Sequence, residues 1–357
     1  MSITTSHFIR ILSTTILFSL VVISISLAKE NIPALSGPSD SLAQAQTLTG
    51  KHQLSYLLMN NSLNSVTPAG YFNKQTSYLL EDGTIWRNES EINTLRLAGM
   101  SGVVLMGDVY GYSRLKDLWY NWPTTKFHSI DFSEDFQKYK WMDKYGHFLH
   151  AYFAADLFSR GYRWAGFSGE NSVWYGSLTS WLWMFQIEIA DAFFEKWGFS
   201  WGDLLANTFG AGFSALQQIY PEVLGGIQPK ISYHVSDALK EKSYRNGAKS
   251  IIDDYEGMTF WLAVNAYHYM PSNIQNNYPD WLKPFGLALG HSAKGIAKYP
   301  QLGEREIFIG LDYDLRQLSL GDDSSFLRFL KSELNIIRLP LPAVKITPAG
   351  VWYGLYF

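Results

Sequence analysis

The sequence predicts an α+β protein, a helical bundle domain followed by a strand-rich antiparallel C-terminal region. Three observations carry that reading. From Trp141 to Tyr220 apolar residues recur at helical spacing, whereas from Gln228 onward the period falls to two. The chain also closes on Val351, Tyr353, Leu355 and Phe357 alternating with Trp352, Gly354 and Tyr356, a strand pattern with aromatic residues on both faces.

Taken in order, residues 1–28 read as a signal peptide. A short start containing Arg10 leads into an apolar run from Ile11 to Leu27, and Ser26-Leu27-Ala28 offers small residues for cleavage after Ala28. An uncleaved anchor is the alternative; the run falls short of the roughly 20 residues of a spanning helix, which favours cleavage. Residues 29–50, rich in Ser, Pro, Gly, Gln and Ala without apolar periodicity, read as a flexible leader. Residues 51–225 are assigned to a helical domain with a polar site, and residues 226–357 to the strand-rich region.

Within the helical domain, the glycine-containing apolar segment Leu95 to Gly111, bracketed by Arg96 and Asp108, is expected to pack in the core, with a helix lying at a membrane surface as the alternative. Helix one is expected from Trp141 to Ser159 and helix two from Ser172 to Trp197. Helix three is expected from Ser200 to Tyr220, where Pro221 stops it. Gly198 and the capping residue Ser200 predict a tight antiparallel pair between helices two and three. Ile231, Tyr233 and Val235, then Ile307 to Leu315, alternate as strands; Thr259 to Tyr269 is ambiguous between strand and helix. Pro340, Pro342 and Pro348 argue against a complete barrel built from the C-terminal part alone.

Composition bounds the function. The chain has no cysteine, which excludes thiolate metal sites, cysteine nucleophiles and a lipidated cysteine, leaving His and carboxylates as the strong metal ligands. A net charge of -3 without a basic tract argues against nucleic acid as a partner. Aromatic residues make up 16% and charged residues only 17%, a balance that points to membrane or envelope components as partners. The terminal aromatic strand is how many outer-membrane barrel proteins end, so the expected location is the periplasm or outer membrane.

The candidate site is a set of polar residues at helical spacing on apolar helices. Asp143, Lys144, His147 and His150 lie on helix one, Glu188 and Asp191 on helix two with Glu195 on the same face, and Asp203 and Asn207 on helix three. Asp143, His147 and His150 fall within about 60° of one another at 100° per residue, with Lys144 expected to the side. Burying such groups is costly, so the stripes are expected to meet inside the bundle. Several carboxylates meeting there need an offset: Lys144 and the histidines, a bound cation, or retained protons. The residues leave the three open, and no cofactor can be named. A hydrogen-bond network fixing helix register is the bland alternative, and Asp203 also suits the first turn of its helix as a dipole partner. A carboxylate and histidine acting as base and acid on a lipid or glycan ester, with or without a metal, is the enzymatic one. No nucleophile-elbow serine or phosphate-binding glycine loop supports another chemistry.

The segments Trp141-Met142-Asp143-Lys144-x-x-His147-Phe148, Glu188-x-x-Asp191 and Trp197-Gly198-Phe199-Ser200-x-x-Asp203-Leu204-x-Ala206-Asn207-x-x-Gly210-Ala211 together resemble the YfiM-like family of predicted periplasmic lipoproteins of unknown function. Asp254-Tyr255-Glu256-Gly257-x-Thr259-x-Trp261, Pro279-x-Trp281 and Pro340-x-Pro342 are similar to its longer Bacteroidetes-type versions. The helical block is also distantly similar to VanZ-type membrane proteins. The resemblance implies a location and a fold, and no reaction. The lipid anchor in the family name departs from this sequence, which lacks the cysteine to carry one. The reading is therefore an exported envelope protein, outer-membrane-associated, with a structural or ligand-binding role; a hydrolase of lipid or cell-wall material is the alternative.

Overall fold

The computed structural model describes residues 78–80, 84–244, 250–319, 321 and 323–357. The expected signal peptide, the leader and the first part of the 51–225 assignment lie outside the described residues. The helical block comes first and an antiparallel six-stranded sheet follows, as expected. A two-stranded ribbon, β1 (Tyr78–Leu79) with β2 (Ile85–Trp86), precedes α1 (Thr94–Leu118), α2 (Phe132–Gln137), α3 (Met142–Trp164), α4 (Gly169–Asp191) and α5 (Trp201–Ile219). The sheet runs in sequence order through β3 (Ile227–Tyr233), β4 (Met258–Val264), β5 (Phe285–Lys294), β6 (Glu304–Tyr313), β7 (Leu341–Thr347) and β8 (Val351–Tyr356). Helix α6 (Ser325–Leu334) lies between β6 and β7.

The three central helices begin and end for local reasons. Ser168 caps α4 by accepting the Asn171 amide, and Ser200 caps α5 by accepting the Asp203 amide, each satisfying a donor the helix cannot. Helix α3 starts differently: Tyr139, Lys140 and Trp141 all have positive φ (52°, 53° and 76°). Each such L-residue costs about 1–2 kcal/mol, so the surroundings must hold this run in place. They do so through the Tyr139 amide, which donates to the Pro300 carbonyl at 3.0 Å, and through Met142, fully buried beside Leu149, Phe260 and Ile296.

Helix α3 is sandwiched between α4 and α5 at close range. A Cβ on Gly176 of α4 would lie 2.4 Å from the Ser159 amide nitrogen, and one on Gly210 of α5 would lie 2.2 Å from the Phe148 carbonyl oxygen. Only glycine permits these approaches. The resulting seam of Ala151, Ala155, Met184 and Ala211 is small and apolar, and it fixes the depth at which polar side chains one or two turns away can meet.

Two expectations are corrected here and one ambiguity is resolved. Helix two stops at Asp191 rather than Trp197, because the next residues leave the helix and pair with an earlier segment, Thr124 with Phe194 and Ser129 with Phe199. Glu195 therefore lies off the helix and is exposed. The segment Leu95 to Gly111 is indeed helical but peripheral: Leu97 and Asp108 are buried, while Leu95, Val103, Met106 and Val109 are exposed. Trp183 and Gln186 of α4 hold Asp108 through side-chain hydrogen bonds, so α1 is tethered rather than packed. The ambiguous Thr259 to Tyr269 run resolves into β4 and a following turn, Ala266–Tyr269.

The sheet has an inverted polarity. One cross-strand row joins Leu262, Leu289, Ile309, Val344 and Trp352, and all five are 37–68% exposed. Val264, Leu287 and Leu311 form a second such row. The opposite face is buried around Trp261, Phe308 and Tyr356 and carries charges: Lys230 meets Asp312 at 2.7 Å and Lys345 meets Glu306 at 2.7 Å. The Arg338 guanidinium lies 4.0 Å from the Trp261 ring centroid and donates to the Tyr356 carbonyl. At the β3 edge, the Ile231 amide donates to the Ile336 carbonyl and the Arg338 amide to the Ile231 carbonyl. Helix α6 repeats the inversion. Its Glu333 faces inward to Arg160 at 2.9 Å, while Phe326, Leu327, Leu330 and Leu334 face out. Among the described residues no helix is long and apolar enough to cross a membrane.

Candidate functional site

The three helical stripes converge as a buried ionic cluster. Lys144, the third residue of α3, is its centre. Its ammonium lies 2.5 Å from Asp135 Oδ1, 3.0 Å from Asp203 Oδ1, 3.3 Å from Asp143 Oδ2 and 3.3 Å from Ser200 Oγ. Asp135 in turn accepts from Ser200 Oγ at 2.8 Å and from the Gly202 amide at 2.9 Å, which locks α2 to the start of α5. His147, one turn further along α3, places Nδ1 3.2 Å from Asn207 Oδ1 and 3.3 Å from Glu188 Oε1. Its Nε2 lies 3.9 Å from Asp143 Oδ1 and 4.0 Å from Asp203 Oδ1. Tyr255, from the turn before β4, donates to Asp143 Oδ1 at 2.7 Å.

Seven of the eight expected residues thus share this region, with Asp191 reached through the Tyr120 hydroxyl and the fields of His147 and Asp203. His150 is the exception. It is exposed, and its Nδ1 sits 2.8 Å from the Gly146 carbonyl of its own helix. The error lay in where the stripe was centred. The bundle packs on the Lys144 and Ala151 side of α3, and at 100° per residue His150 lies about 120° from Lys144 while His147 lies about 60° from it. Lys144, expected to the side, is the residue pointing inward.

Asp135 and Tyr255 were missed by sequence reasoning. Asp135 sits in a six-residue helix too short to show a period, and Tyr255 is 112 residues from its partner Asp143. The one available signal for Tyr255 was its place in the Asp254-Tyr255-x-Gly257 motif.

Five carboxylates (Asp135, Asp143, Glu188, Asp191, Asp203) face two cations, Lys144 and His147. The surplus shows in the proton affinities. Burial raises Glu188 and Asp203, with neighbouring acids adding to it, and Asp191 is pushed up to about 7 for the same reasons. Burial also opposes charge on His147, yet Asp203, Glu188 and Asp143 outweigh it and raise the imidazole to about 9. Asp143 goes the other way: burial would raise it, but Lys144, His147 and the Tyr255 hydroxyl hold it below the usual carboxylate range.

Hydrogen bonding is left incomplete. Glu188 Oε1, Asp191 Oδ1, Asp203 Oδ1 and Asn207 Nδ2 are buried without a hydrogen-bond partner. The Lys144 contact to Asp203 Oδ1 and the His147 contact to Glu188 Oε1 are ion-pair approaches with poor hydrogen-bond alignment, so the cations screen these oxygens without satisfying them. The cluster is closed on the Glu188 and Asn207 side, at 1% and 0% exposure, and opens slightly at Asp143 and His147, whose side chains are 21% and 19% exposed.

Residues 132–219 match the predicted periplasmic lipoprotein family DUF2279. The span covers about a quarter of the chain and holds α2 to α5, hence every cluster residue from Asp135 to Asn207. The match supports export to the periplasm and carries no assigned activity. Comparisons with curated proteins and with solved structures gave no match.

Proposed function

We propose that this chain is an exported cell-envelope protein that sits on the outer membrane through the apolar exterior of its sheet and α6, and uses the helical cluster to bind a polar ligand. The observation that carries the membrane seat is the row Leu262, Leu289, Ile309, Val344 and Trp352, exposed while its reverse face buries ion pairs. Each such side chain left in water forgoes about 1.5–3 kcal/mol of burial, and contiguous apolar patches of this kind mark a surface with a partner. Apolar outside and polar inside is the polarity of a sheet that faces lipid. The cytosol is a poor home for such a face.

Flotation of the purified full chain with outer-membrane lipid vesicles tests the seat, with fractionation of the envelope alongside. The wild type is expected to float and to track outer-membrane markers, and Leu289→Glu with Ile309→Glu to leave it in the soluble fraction. Equal recovery of wild type and variant in the soluble fraction would sink the proposal.

The opening at Asp143 and His147 favours a second reading, a hydrolase of lipid or cell-wall material in which His147 and Asp143 serve as acid and base beside an opening to solvent. A folded His147→Gln variant that loses turnover of an envelope ester, with wild-type turnover measured first, would establish it; wild-type protein inert on lipid and glycan esters would count against it.

A further inference from the structure

We infer that Asp143, His147 and Asp203 form a divalent metal site, with Asn207 and Glu188 holding the imidazole from behind. The inference rests on the ligand-binding reading of the cluster and is independent of the membrane seat.

The three ligand atoms, Asp143 Oδ1, His147 Nε2 and Asp203 Oδ1, lie within 4.8 Å of one another. The separations from Nε2 are 3.9 and 4.0 Å, so the space between the three accepts an ion about 2.5 Å from each without movement. A contraction of a few tenths of an ångström brings them to the ~2.0–2.2 Å of first-row ions. Two carboxylate oxygens and one imidazole nitrogen are a borderline-hard set, suited to manganese or zinc.

The arrangement behind the histidine is the second observation. A metal-bound imidazole donates its other N–H to a fixed acceptor, which sets the tautomer and aims the ligating nitrogen. Here Nδ1 faces Asn207 Oδ1 at 3.2 Å with Glu188 Oε1 at 3.3 Å, and this leaves Nε2 to face the two aspartates. Asn207 and Glu188 are almost completely buried.

The third observation is the incompleteness already described. Asp203 Oδ1, Glu188 Oε1 and Asn207 Nδ2 are buried without hydrogen bonds in one place, and once His147 gives up its Nε2 proton to ligate the ion, five carboxylates face Lys144 alone. An orphaned buried acceptor beside surplus negative charge is what an ion would satisfy. Lys144 does not fill the space. It reaches Asp143 through Oδ2, leaving Oδ1 to His147 and Tyr255, and its shortest contact is to Asp135. Its contact with Asp203 Oδ1 at 3.0 Å is shared with the ion and keeps that carboxylate oriented.

Equilibrium dialysis of the chelator-stripped full chain against manganese or zinc chloride, with elemental analysis and near-ultraviolet circular dichroism to verify folding, tests the site. The expected result is one ion per chain, bound at least about tenfold more weakly after Asn207→Ala and more weakly still after Asp143→Asn or Asp203→Asn. Glu306→Gln, in the sheet interior, is expected to leave binding unchanged. Cobalt substitution should give visible bands that His147→Gln abolishes. Folded wild type that retains neither ion in stoichiometric amount, or retention that Asp143→Asn, Asp203→Asn and His147→Gln leave untouched, overturns the inference while flotation remains a separate result.

Discussion

The helical cluster and the sheet interior both bury charge, and they balance it in opposite ways. In the sheet each acid has its own base: Lys230 with Asp312, Lys345 with Glu306, Arg316 with Asp314 at 2.7 Å. Lys230 also donates to the Tyr313 carbonyl and Asn335 Oδ1, which completes its valence. Among the helices five acids crowd two bases, and hydrogen bonds are missing where the crowding is worst. Matched pairs neutralise charge and fix a shape, with Asp312 Oδ1 the one buried oxygen of these three pairs left without a hydrogen bond. A surplus held between close-packed helices is an unfinished arrangement, and unfinished arrangements are where ligands bind.

The largest test of this contrast is Lys230→Met, which strands the buried Asp312. A loss of about 3–5 kcal/mol in urea unfolding is expected, and adding Asp312→Leu should recover most of it, because an apolar pair can replace a matched ion pair. If the double variant stays as unstable as the single, the sheet pair is not self-contained.

Glu188→Gln should behave in the reverse sense. The amide mimics the protonated acid that burial favours, so in metal-free buffer the variant should match the wild type near pH 4, below the unfolded value of 4.5, and exceed it in melting temperature near pH 9. A variant less stable than wild type at both values would mean that the surplus charge is already compensated.

The pH profiles of the two regions should also differ in sign. Asp191 rises from 3.8 to about 7 and His147 from 6.5 to about 9 on folding, so both bind protons more tightly in the native state. Their contribution is complete below the unfolded values and is lost as pH climbs through 7 and then 9. Asp314 is lowered: burial would raise it, but Arg316 prevails, so its contribution is present above 3.8 and lost on acidification. Asp191→Asn should therefore flatten the melting profile between pH 4 and 7 and Asp314→Asn only the acid limb; exchanged effects would refute the assignment. The smallest expected effect is Leu289→Glu, within about 0.5 kcal/mol in detergent-free buffer, since the side chain touches solvent rather than core.

The amino-acid sequence determined more of the cluster than of its frame. Asp143, His147, Glu188, Asp203 and Asn207 could be read off because a polar group on an apolar helix is costly unless it has partners, and the 3.6 period says which ones share a face. The period does not say where that face is centred, which is why His150 was included and Lys144 turned aside. Helix ends were less legible: Ala192, Phe193 and Phe194 stay apolar past Asp191, and it is backbone pairing with residues near 124 and 129 that ends the helix. Alternation at Ile231 to Val235, Ile307 to Leu315 and Val351 to Phe357 marked β3, β6 and β8, and it carried no sign of which face would be covered.

What the sequence settled by itself, then, is local: the helix and strand periods, the cap at Ser200, and the residue types able to hold charge. Tertiary structure alone brought Asp135 and Tyr255 to the cluster, turned the apolar side of the sheet outward and left carboxylates in surplus. Periodicity acts over a few residues, whereas charge balance and burial depend on which distant segments meet, and close packing at Gly176 and Gly210 decides that.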